Sequence, residues 1–161
     1  MAREISAGGV VVRRRGEGWE VAVIEPPGNE AKSAVKKRAK PVIALPKGLV
    51  DPGEKAEETA EREVFEETGV RGKILTKLAD IKYVYVRTWG DGERVFKIVS
   101  FYLLTYESGM IDDISPEMRI EVKRALWIPL EGADKRLSYR GEKDVVRLAQ
   151  KYLQTHSAEA C

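Results

Sequence analysis

The sequence contains a single cysteine, Cys161, and a single histidine, His156, both near the end of its 161 residues. One cysteine excludes an internal disulfide, and one histidine excludes a zinc site built from several Cys and His ligands. A Ser-His-Asp or Cys-His catalytic arrangement with its histidine in the body of the chain is excluded as well. We interpret His156 as a solvated residue of a polar tail.

Long apolar segments are also lacking. No run of apolar residues approaches the ~20 residues that are needed to span a bilayer. The first residues lead directly into a strand-like stretch and lack the apolar core of a secretory signal. We therefore expect a soluble, cytoplasmic protein without membrane association.

An excess of one charge sign is lacking too, because 28 Lys and Arg residues stand against 26 Asp and Glu residues, a net charge of +2. This balance does not indicate the large electrostatic footprint of a nucleic-acid-binding protein. The charges are unevenly distributed, however. A basic loop over residues 29–41 contains five cations: Lys32, Lys36, Lys37, Arg38 and Lys40.

Apolar periodicity and turn residues divide the chain into strands and helices. Short β-branched and aromatic runs predict strands over residues 5–14, 19–24, 42–45, 72–88, 95–106 and 125–128. Helical spacing predicts helices over residues 55–68 and 141–154, the first of them stopped by Gly69. Strands mixed with only two helices favour a single α/β domain over residues 1–161. Residues 155–161 are expected to form a tail without fixed structure.

The first predicted helix lies in a strongly acidic stretch. Eight acids lie between residues 51 and 67: Asp51, Glu54, Glu57, Glu58, Glu61, Glu63, Glu66 and Glu67. Glu63, Glu66 and Glu67 are related as i, i+3 and i+4, so they project from one face of a helix. Like charges at this spacing repel, and a hard divalent cation with oxygen ligands would remove the repulsion. The alternative interpretation is a solvated acidic helix face.

Residues 48–70 resemble the Nudix box at every position that the box specifies. The matching residues are Gly48, Glu54, Arg62, Glu63, Val64, Glu66, Glu67, Gly69 and Val70. So many fixed positions make the match far more specific than a short glycine-rich motif. The order of the flanking elements fits as well, over about residues 5–153. The resemblance implies an α/β/α sandwich, with a mixed β-sheet flanked by the box helix and a C-terminal helix.

The resemblance also implies a metal-dependent hydrolase that cleaves a pyrophosphate bond in a substrate linked to a nucleoside diphosphate. The implied ligands of Mg²⁺ or Mn²⁺ are the carboxylates of Glu63, Glu66 and Glu67 and the carbonyl of Gly48. Glu66 and Glu67 are expected to be catalytic. Arg62 and Glu54 would form an ion pair that orients the carboxylates. The metals would neutralise phosphate charge and lower the pKa of the attacking water.

Outside the box, the chain is most similar to the diadenosine tetraphosphate hydrolases and their bacterial relatives. The shared residues are Lys47 before the box and Tyr83, Tyr85, Lys97 and Glu121 after it. The resemblance implies that one or both of the tyrosines stack on adenine and that the lysines contact phosphates. It implies that Glu121 is a metal ligand or the base that acts on water. Alternatively, Tyr83 and Tyr85 are strand residues that only pack in the core or on the surface. The alternative for Glu121 is an exposed acid in a loop.

Several substrates stay open on the sequence. The leading expectation is a small-molecule nucleotide substrate, a dinucleoside polyphosphate such as diadenosine tetraphosphate, cleaved to ATP and AMP. One alternative is a MutT-type nucleoside triphosphate pyrophosphatase that acts on oxidised guanine nucleotides. Another is a diphosphoinositol polyphosphate phosphatase, which only the basic loop favours. Nudix-fold binding modules without turnover typically lack box carboxylates, and all of them are present here.

Overall fold

The computed structural model describes residues 2–28 and 41–156. The strands are β1 (Ala2–Arg15), β2 (Gly18–Glu25), β3 (Lys47–Leu49), β4 (Val70–Val86), β5 (Arg94–Gly109) and β6 (Arg124–Pro129). The helices are α1 (Ala56–Thr68), α2 (Ala133–Arg136) and α3 (Arg140–His156), and a 3-10 turn covers Met118–Ile120. Residues 29–40 of the predicted basic loop and residues 157–161 of the predicted tail lie outside the described residues.

A mixed sheet forms the centre of the fold. Its strand order is β4-β5-β1-β2-β6, and β3 pairs with β1 beside this path. β1 and β5 run parallel, from Ala2 opposite Val95 to Val12 opposite Thr105. The other pairings are antiparallel. Because β3 pairs with residues Ser6 to Gly8 of β1, the residues just before the acidic stretch are held against the central strand of the sheet.

The sheet is covered on both faces. Val10 packs in a cluster that contains Val145 of α3, whereas Val11 packs in a second cluster that contains Val64 of α1. Successive side chains of a strand point to opposite faces, so a continuous apolar run is what a strand buried on both sides requires. The expected α/β/α sandwich is confirmed, with α1 on one face and α3 on the other.

β4 and β5 form a long antiparallel hairpin, paired from Val70 opposite Gly109 to Val86 opposite Arg94. Gly90 and Gly92 lie in its turn with φ values of 68° and 71°, a backbone region that glycine adopts freely. β4 has the predicted length but begins and ends two residues earlier than residues 72–88, whereas β5 is longer than the predicted strand over residues 95–106. Tyr83 of β4 and Lys97 of β5 lie directly opposite each other in the hairpin, which brings these two residues to one region of the sheet.

The strand predicted over residues 42–45 is wrong. The short strand β3 lies beyond it, and Ala44 forms only an isolated bridge with Ile24. Backbone groups of the segment bond instead to residues just before and inside α3. The N–H of Ile43 donates to Ser138 Oγ at 2.9 Å, and the N–H of Leu45 donates to Glu142 Oε1 at 2.8 Å.

Helix α2 was not predicted either, because its four residues are too few to show helical periodicity. Gly132, with a φ of 82°, precedes it. None of the helices in the described part of the chain is long and apolar enough to cross a membrane.

Candidate active site

Local hydrogen bonds define both ends of α1, the helix that carries the box glutamates. At its start, the backbone N–H of Lys55 donates to Glu58 Oε1 at 3.0 Å. At its end, Gly69 adopts a φ of 85°, and its N–H donates to the carbonyl of Phe65 at 2.9 Å. This left-handed cap is the stop that the sequence predicted at Gly69.

The box glutamates on α1 differ in burial. Glu63 is 8% exposed and Glu67 is 6% exposed, whereas the Glu66 side chain is 38% exposed. Burial raises the pKa of Glu67 to about 8, and it also raises the pKa of Glu63. Ionised carboxylates are costly to bury without a compensating cation. A cation bound near these two side chains would therefore stabilise their charged forms.

Arg62 connects the acidic side chains around α1. Its Nε and Nη2 donate to the two oxygens of Glu54 at 2.7 and 2.9 Å. Its Nη1 donates to Glu63 at 2.8 Å and to Glu66 at 3.1 Å, and Nη2 also reaches the carbonyl of Leu49 at 3.1 Å. The bonds from Arg62 lower the pKa of Glu54 to about 2. The expected ion pair of Arg62 and Glu54 is thus part of a larger network that orients two box glutamates.

Gly48 of β3 lies directly against Glu63. A Cβ atom added at Gly48 would lie 2.1 Å from the carboxyl carbon of Glu63, far inside the distance at which atoms can pack. A residue with a side chain at position 48 would therefore displace that carboxylate. This close approach explains in steric terms why the box requires glycine at its first position.

A cavity of about 400 Å³ lies between α1, β3 and the loop before β6. Gly48, Glu63, Glu67, Lys97 and Glu121 are among the residues that line it, and we call it the acidic cavity. The charge of Glu121 raises the pKa of both buried glutamates. The structure therefore brings Glu121 to the box carboxylates, although more than fifty residues of sequence separate them.

The chemistry of the acidic cavity fits a hard divalent cation, because its carboxylate and carbonyl oxygens are the ligands that such ions prefer. Within residues 2–28 and 41–156, however, no three acidic, His or Cys side chains are already arranged to hold a metal ion. Arg62 donates to both Glu63 and Glu66. Metal ligation by these two glutamates would therefore exchange bonds with Arg62 for bonds with the cation.

Lys47 lies at the edge of the acidic cavity and is held on two sides. Its backbone N–H donates to Glu67 Oε1 at 2.9 Å, and its ammonium group lies 3.1 Å from Glu142 Oε2. The ammonium group is also 5.7 Å from the centre of the Tyr139 ring. Burial alone would lower the pKa of Lys47, but the attraction of Glu142 outweighs it and the pKa is raised. Lys47 therefore keeps its positive charge in the site.

A second cavity, of about 390 Å³, adjoins the first. Tyr83 and Tyr139 lie at this cavity with Ile81, Val99 and Phe101, and we call it the aromatic cavity. Lys47 and Tyr139 line both cavities. An apolar space with aromatic walls beside a charged one is the arrangement that suits a ligand with a flat ring and a charged extension.

Tyr83 and Tyr85, which the sequence grouped together, differ in their relation to the cavities. Their rings lie on the same side of β4, with centres 6.4 Å apart. Tyr83 lines the aromatic cavity. Tyr85 lines neither the aromatic nor the acidic cavity, and its hydroxyl donates to Glu4. Lys97 does line the acidic cavity, and burial lowers its pKa.

Glu142, which belongs to α3, was not predicted as a site residue from the sequence. This carboxylate is only 3% exposed and contacts both Leu45 and Lys47. A signal was available, because Glu142 precedes Val145 and Val146 by three and four residues. That spacing places it on the apolar face of the helix, where an acid requires a partner.

A model of the NUDIX domain family matches residues 3–149 of the chain. A Mycobacterium tuberculosis protein named "Putative mutator protein MutT4" is 38% identical over 119 residues, which cover 74% of this chain and 45% of that protein. A Bacillus subtilis protein named "Putative 8-oxo-dGTP diphosphatase" is 50% identical over 44 residues, which cover 27% of this chain and 30% of that protein. The chain therefore spans less than half the length of either of these two curated relatives.

Solved structures share the fold at lower identity. A C. elegans Ap4A hydrolase in a binary complex superposes with a TM-score of 0.62 at 22% identity, covering 94% of this chain and 98% of that one. At this level of identity the likeness shows the architecture of the sandwich.

Proposed function

This chain belongs to the NUDIX family, and from that membership we propose that it hydrolyses a pyrophosphate bond in a nucleotide, with a dinucleoside polyphosphate such as diadenosine tetraphosphate as its preferred substrate. The observation that carries this proposal is the pair of adjoining cavities that share Lys47 and Tyr139. One cavity suits a base, and the other is lined by two of the box carboxylates, Glu63 and Glu67. A nucleotide bound across both would place its anhydride bonds beside these carboxylates.

The proposed metal ligands are Glu63, Glu66 and Glu67 with the carbonyl of Gly48, and the metal is Mg²⁺ or Mn²⁺. Such a cation would neutralise phosphate charge and lower the pKa of the attacking water. Arg62 orients Glu63 and Glu66 and is itself fixed by both oxygens of Glu54. Glu121 lines the acidic cavity together with Glu63 and Glu67, which supports its role as a further ligand or as the base for water.

Recognition of the nucleotide is assigned to the aromatic cavity and to the lysines at its border. Tyr83 and Tyr139 line this cavity together with apolar side chains, and their rings would stack on a base. Lys47 and Lys97 both line the acidic cavity, where they would contact phosphate oxygens. Two cations suit a chain of several phosphates better than a single diphosphate, which favours the dinucleoside polyphosphate.

A MutT-type activity on oxidised guanine nucleotides is the second candidate. It is favoured by the names of the two curated relatives, one called a mutator protein and the other an 8-oxo-dGTP diphosphatase. Both candidates use the same carboxylates and differ in the base and in the number of phosphates. Product identity distinguishes them, because the first releases ATP and AMP and the second releases pyrophosphate.

The test is chromatographic identification of products after incubation with Mg²⁺ and a substrate panel. The panel contains diadenosine tetraphosphate, dGTP, its 8-oxo form, ADP-ribose and a diphosphoinositol polyphosphate. We expect the highest kcat/KM for diadenosine tetraphosphate, with ATP and AMP as products. Glu67→Gln, purified in parallel, controls for contaminating phosphatases. A higher kcat/KM for 8-oxo-dGTP, with release of pyrophosphate, would establish the second candidate instead.

A further inference from the structure

Glu142 is a buried acid that lies far from the box in sequence and yet contacts the loop that leads into it. One of its oxygens accepts the N–H of Leu45 at 2.8 Å, and the other accepts the ammonium group of Lys47 at 3.1 Å. With 3% exposure, its charge depends on these two donors rather than on water. Glu142 thus joins the start of α3 to the loop in front of α1.

The loop segment that Glu142 contacts is held from the opposite side by the box itself. The backbone N–H of Lys47 donates to Glu67 at 2.9 Å, and the next residue, Gly48, lies against Glu63. Lys47 is therefore bound through its backbone to α1 and through its side chain to α3. These contacts join the proposed catalytic carboxylates to the first turn of α3.

The salt bridge with Glu142 restricts the position of the Lys47 side chain. A lysine carries its charge on four flexible carbons, so an unpaired ammonium group samples many positions. Among the described residues, Glu142 is the acid that forms a salt bridge with Lys47. The pair places the ammonium group beside Tyr139, where the aromatic and acidic cavities meet.

We propose that Glu142 is a positioning residue, which holds the ammonium group of Lys47 at the junction of the two cavities for the phosphate next to the bound nucleoside. Glu142 also lines the aromatic cavity, so the test must separate its action through Lys47 from a direct contact with the nucleoside, which adenosine reports without a phosphate. The proposal rests on the proposed function in one respect, because it assumes that the aromatic cavity takes the nucleoside. It does not require that any particular anhydride is cleaved.

The test compares the binding of AMP and adenosine, in Mg²⁺, by titration calorimetry. Neither ligand contains an anhydride, so turnover does not enter the measurement. Glu142→Gln keeps an acceptor for the N–H of Leu45 but removes the charge that faces Lys47. We expect it to weaken AMP binding about tenfold and to leave adenosine binding unchanged. Lys47→Met should weaken AMP binding to a similar extent.

The double variant decides whether the two residues act as one unit. If Glu142 acts through Lys47, adding Glu142→Gln to Lys47→Met causes no further loss of AMP affinity. Additive losses would overturn the proposal, as would equal losses for AMP and adenosine, which would indicate a disturbed cavity. Tighter AMP binding by Glu142→Gln would also overturn it, because Glu142 would then be neutralising Lys47 rather than positioning it.

Two further variants distinguish a specific role of Glu142 from a general loss of folding. Asp144→Asn removes an exposed acid of the same helix that pairs with Arg147, and its AMP affinity should equal that of the wild type. Glu142→Asp keeps the charge on a shorter stem and should restore part of the AMP affinity that Glu142→Gln loses. No restoration by Glu142→Asp would count against the proposal. If these binding results hold while no panel substrate is cleaved, the proposed function fails and the role of Glu142 stands.

Discussion

At the scale of single residues, the site combines buried charges that stabilise the fold with charges that oppose it. Both carboxylate oxygens of Glu54 accept hydrogen bonds from Arg62. These bonds lower the pKa of Glu54 to about 2. Glu67 lies deeper, and burial raises its pKa to about 8 despite the N–H of Lys47. The two glutamates therefore contribute to stability in opposite directions and over different pH ranges.

This difference predicts how stability varies with pH when divalent cations are removed. The pKa of Glu67 is about 8 in the folded chain and 4.5 ordinarily, so between these values the folded state holds a proton that the unfolded state releases. The free energy of unfolding therefore falls as the pH rises through this window. The contribution of Glu54 is lost only as the pH falls below 4.5, outside that window.

Glu67→Gln should remove the loss of stability at high pH. In EDTA, we expect the variant to gain on the order of 2 kcal/mol over the wild type at pH 8 and little at pH 5. The glutamine oxygen still accepts the N–H of Lys47, so local packing is kept. The measurement is the Tm of both proteins from pH 5 to pH 8.5. Parallel curves for the two proteins would contradict the assignment of this slope to Glu67.

Gly48 offers a second test at the scale of one residue. In Gly48→Ala, the added Cβ would lie 2.1 Å from the carboxyl carbon of Glu63, so the carboxylate must move away. We expect kcat to fall by roughly 100-fold, because small displacements of catalytic groups are costly. Gly18→Ala is the matched control, since its nearest neighbour would be 3.9 Å away. Wild-type kcat in Gly48→Ala would show that Glu63 does not need its present position.

At the scale of helices and strands, the sequence predicted correctly those elements whose bounds depend on neighbouring residues. Helix α1 was predicted to within one residue at its start because its acids, its spacing and Gly69 are all local signals. The segment over residues 42–45 was mispredicted because its hydrogen-bond partners, Ser138 and Glu142, lie more than ninety residues away. An apolar run shows that a segment is buried, and it does not show which element covers it.

The end of α1 gives a prediction about the fold. Gly69 and Gly132 have similar φ values, 85° and 82°. A Cβ at Gly69 would lie 2.4 Å from the carbonyl oxygen of Met110, whereas a Cβ at Gly132 would meet nothing within 4 Å. Gly132→Ala should therefore cost about 1 kcal/mol for the left-handed backbone alone. Gly69→Ala should cost roughly 3 kcal/mol or more, because the steric clash adds to the backbone cost.

Urea denaturation of both alanine variants measures these losses in the free energy of unfolding. The pair is informative because the backbone conformation is shared and only the surroundings differ. Equal losses at the two positions would mean that the loop around Met110 moves aside without cost.

At the scale of the whole molecule, the surroundings of Lys47 and of the box carboxylates on α1 come from distant parts of the chain. The loop before α1 supplies Lys47, the β4–β5 hairpin supplies Tyr83 and Lys97, and the start of α3 supplies Glu142. The family resemblance carried roles onto the first three residues, since each has a recognisable local context. The partner of Lys47 could not be predicted in that way, because the ion pair exists only when the loop and α3 meet across the sheet.

Cation binding should therefore stabilise the whole fold and not the loop alone. Mg²⁺ or Mn²⁺ that binds only the folded state raises the free energy of unfolding by RT ln(1 + [M]/Kd), about 2.7 kcal/mol at one hundred times Kd. The gain should increase from pH 6 to pH 8, because the glutamates bind a cation only when they are deprotonated. The measurement is the Tm with and without millimolar cation across this range.

Matched variants on α1 show whether this stabilisation arises in the acidic cavity. Glu63→Gln and Glu67→Gln should each remove most of the cation-dependent rise in Tm, because each removes a buried oxygen charge from the cavity. Glu61→Gln is the control, since Glu61 is an exposed acid of the same helix that does not line the cavity. If all three variants keep the full rise, the cation binds elsewhere and the proposed ligand set is wrong. If Glu61→Gln also loses the rise, general screening of the acidic helix rather than ligation accounts for the stabilisation.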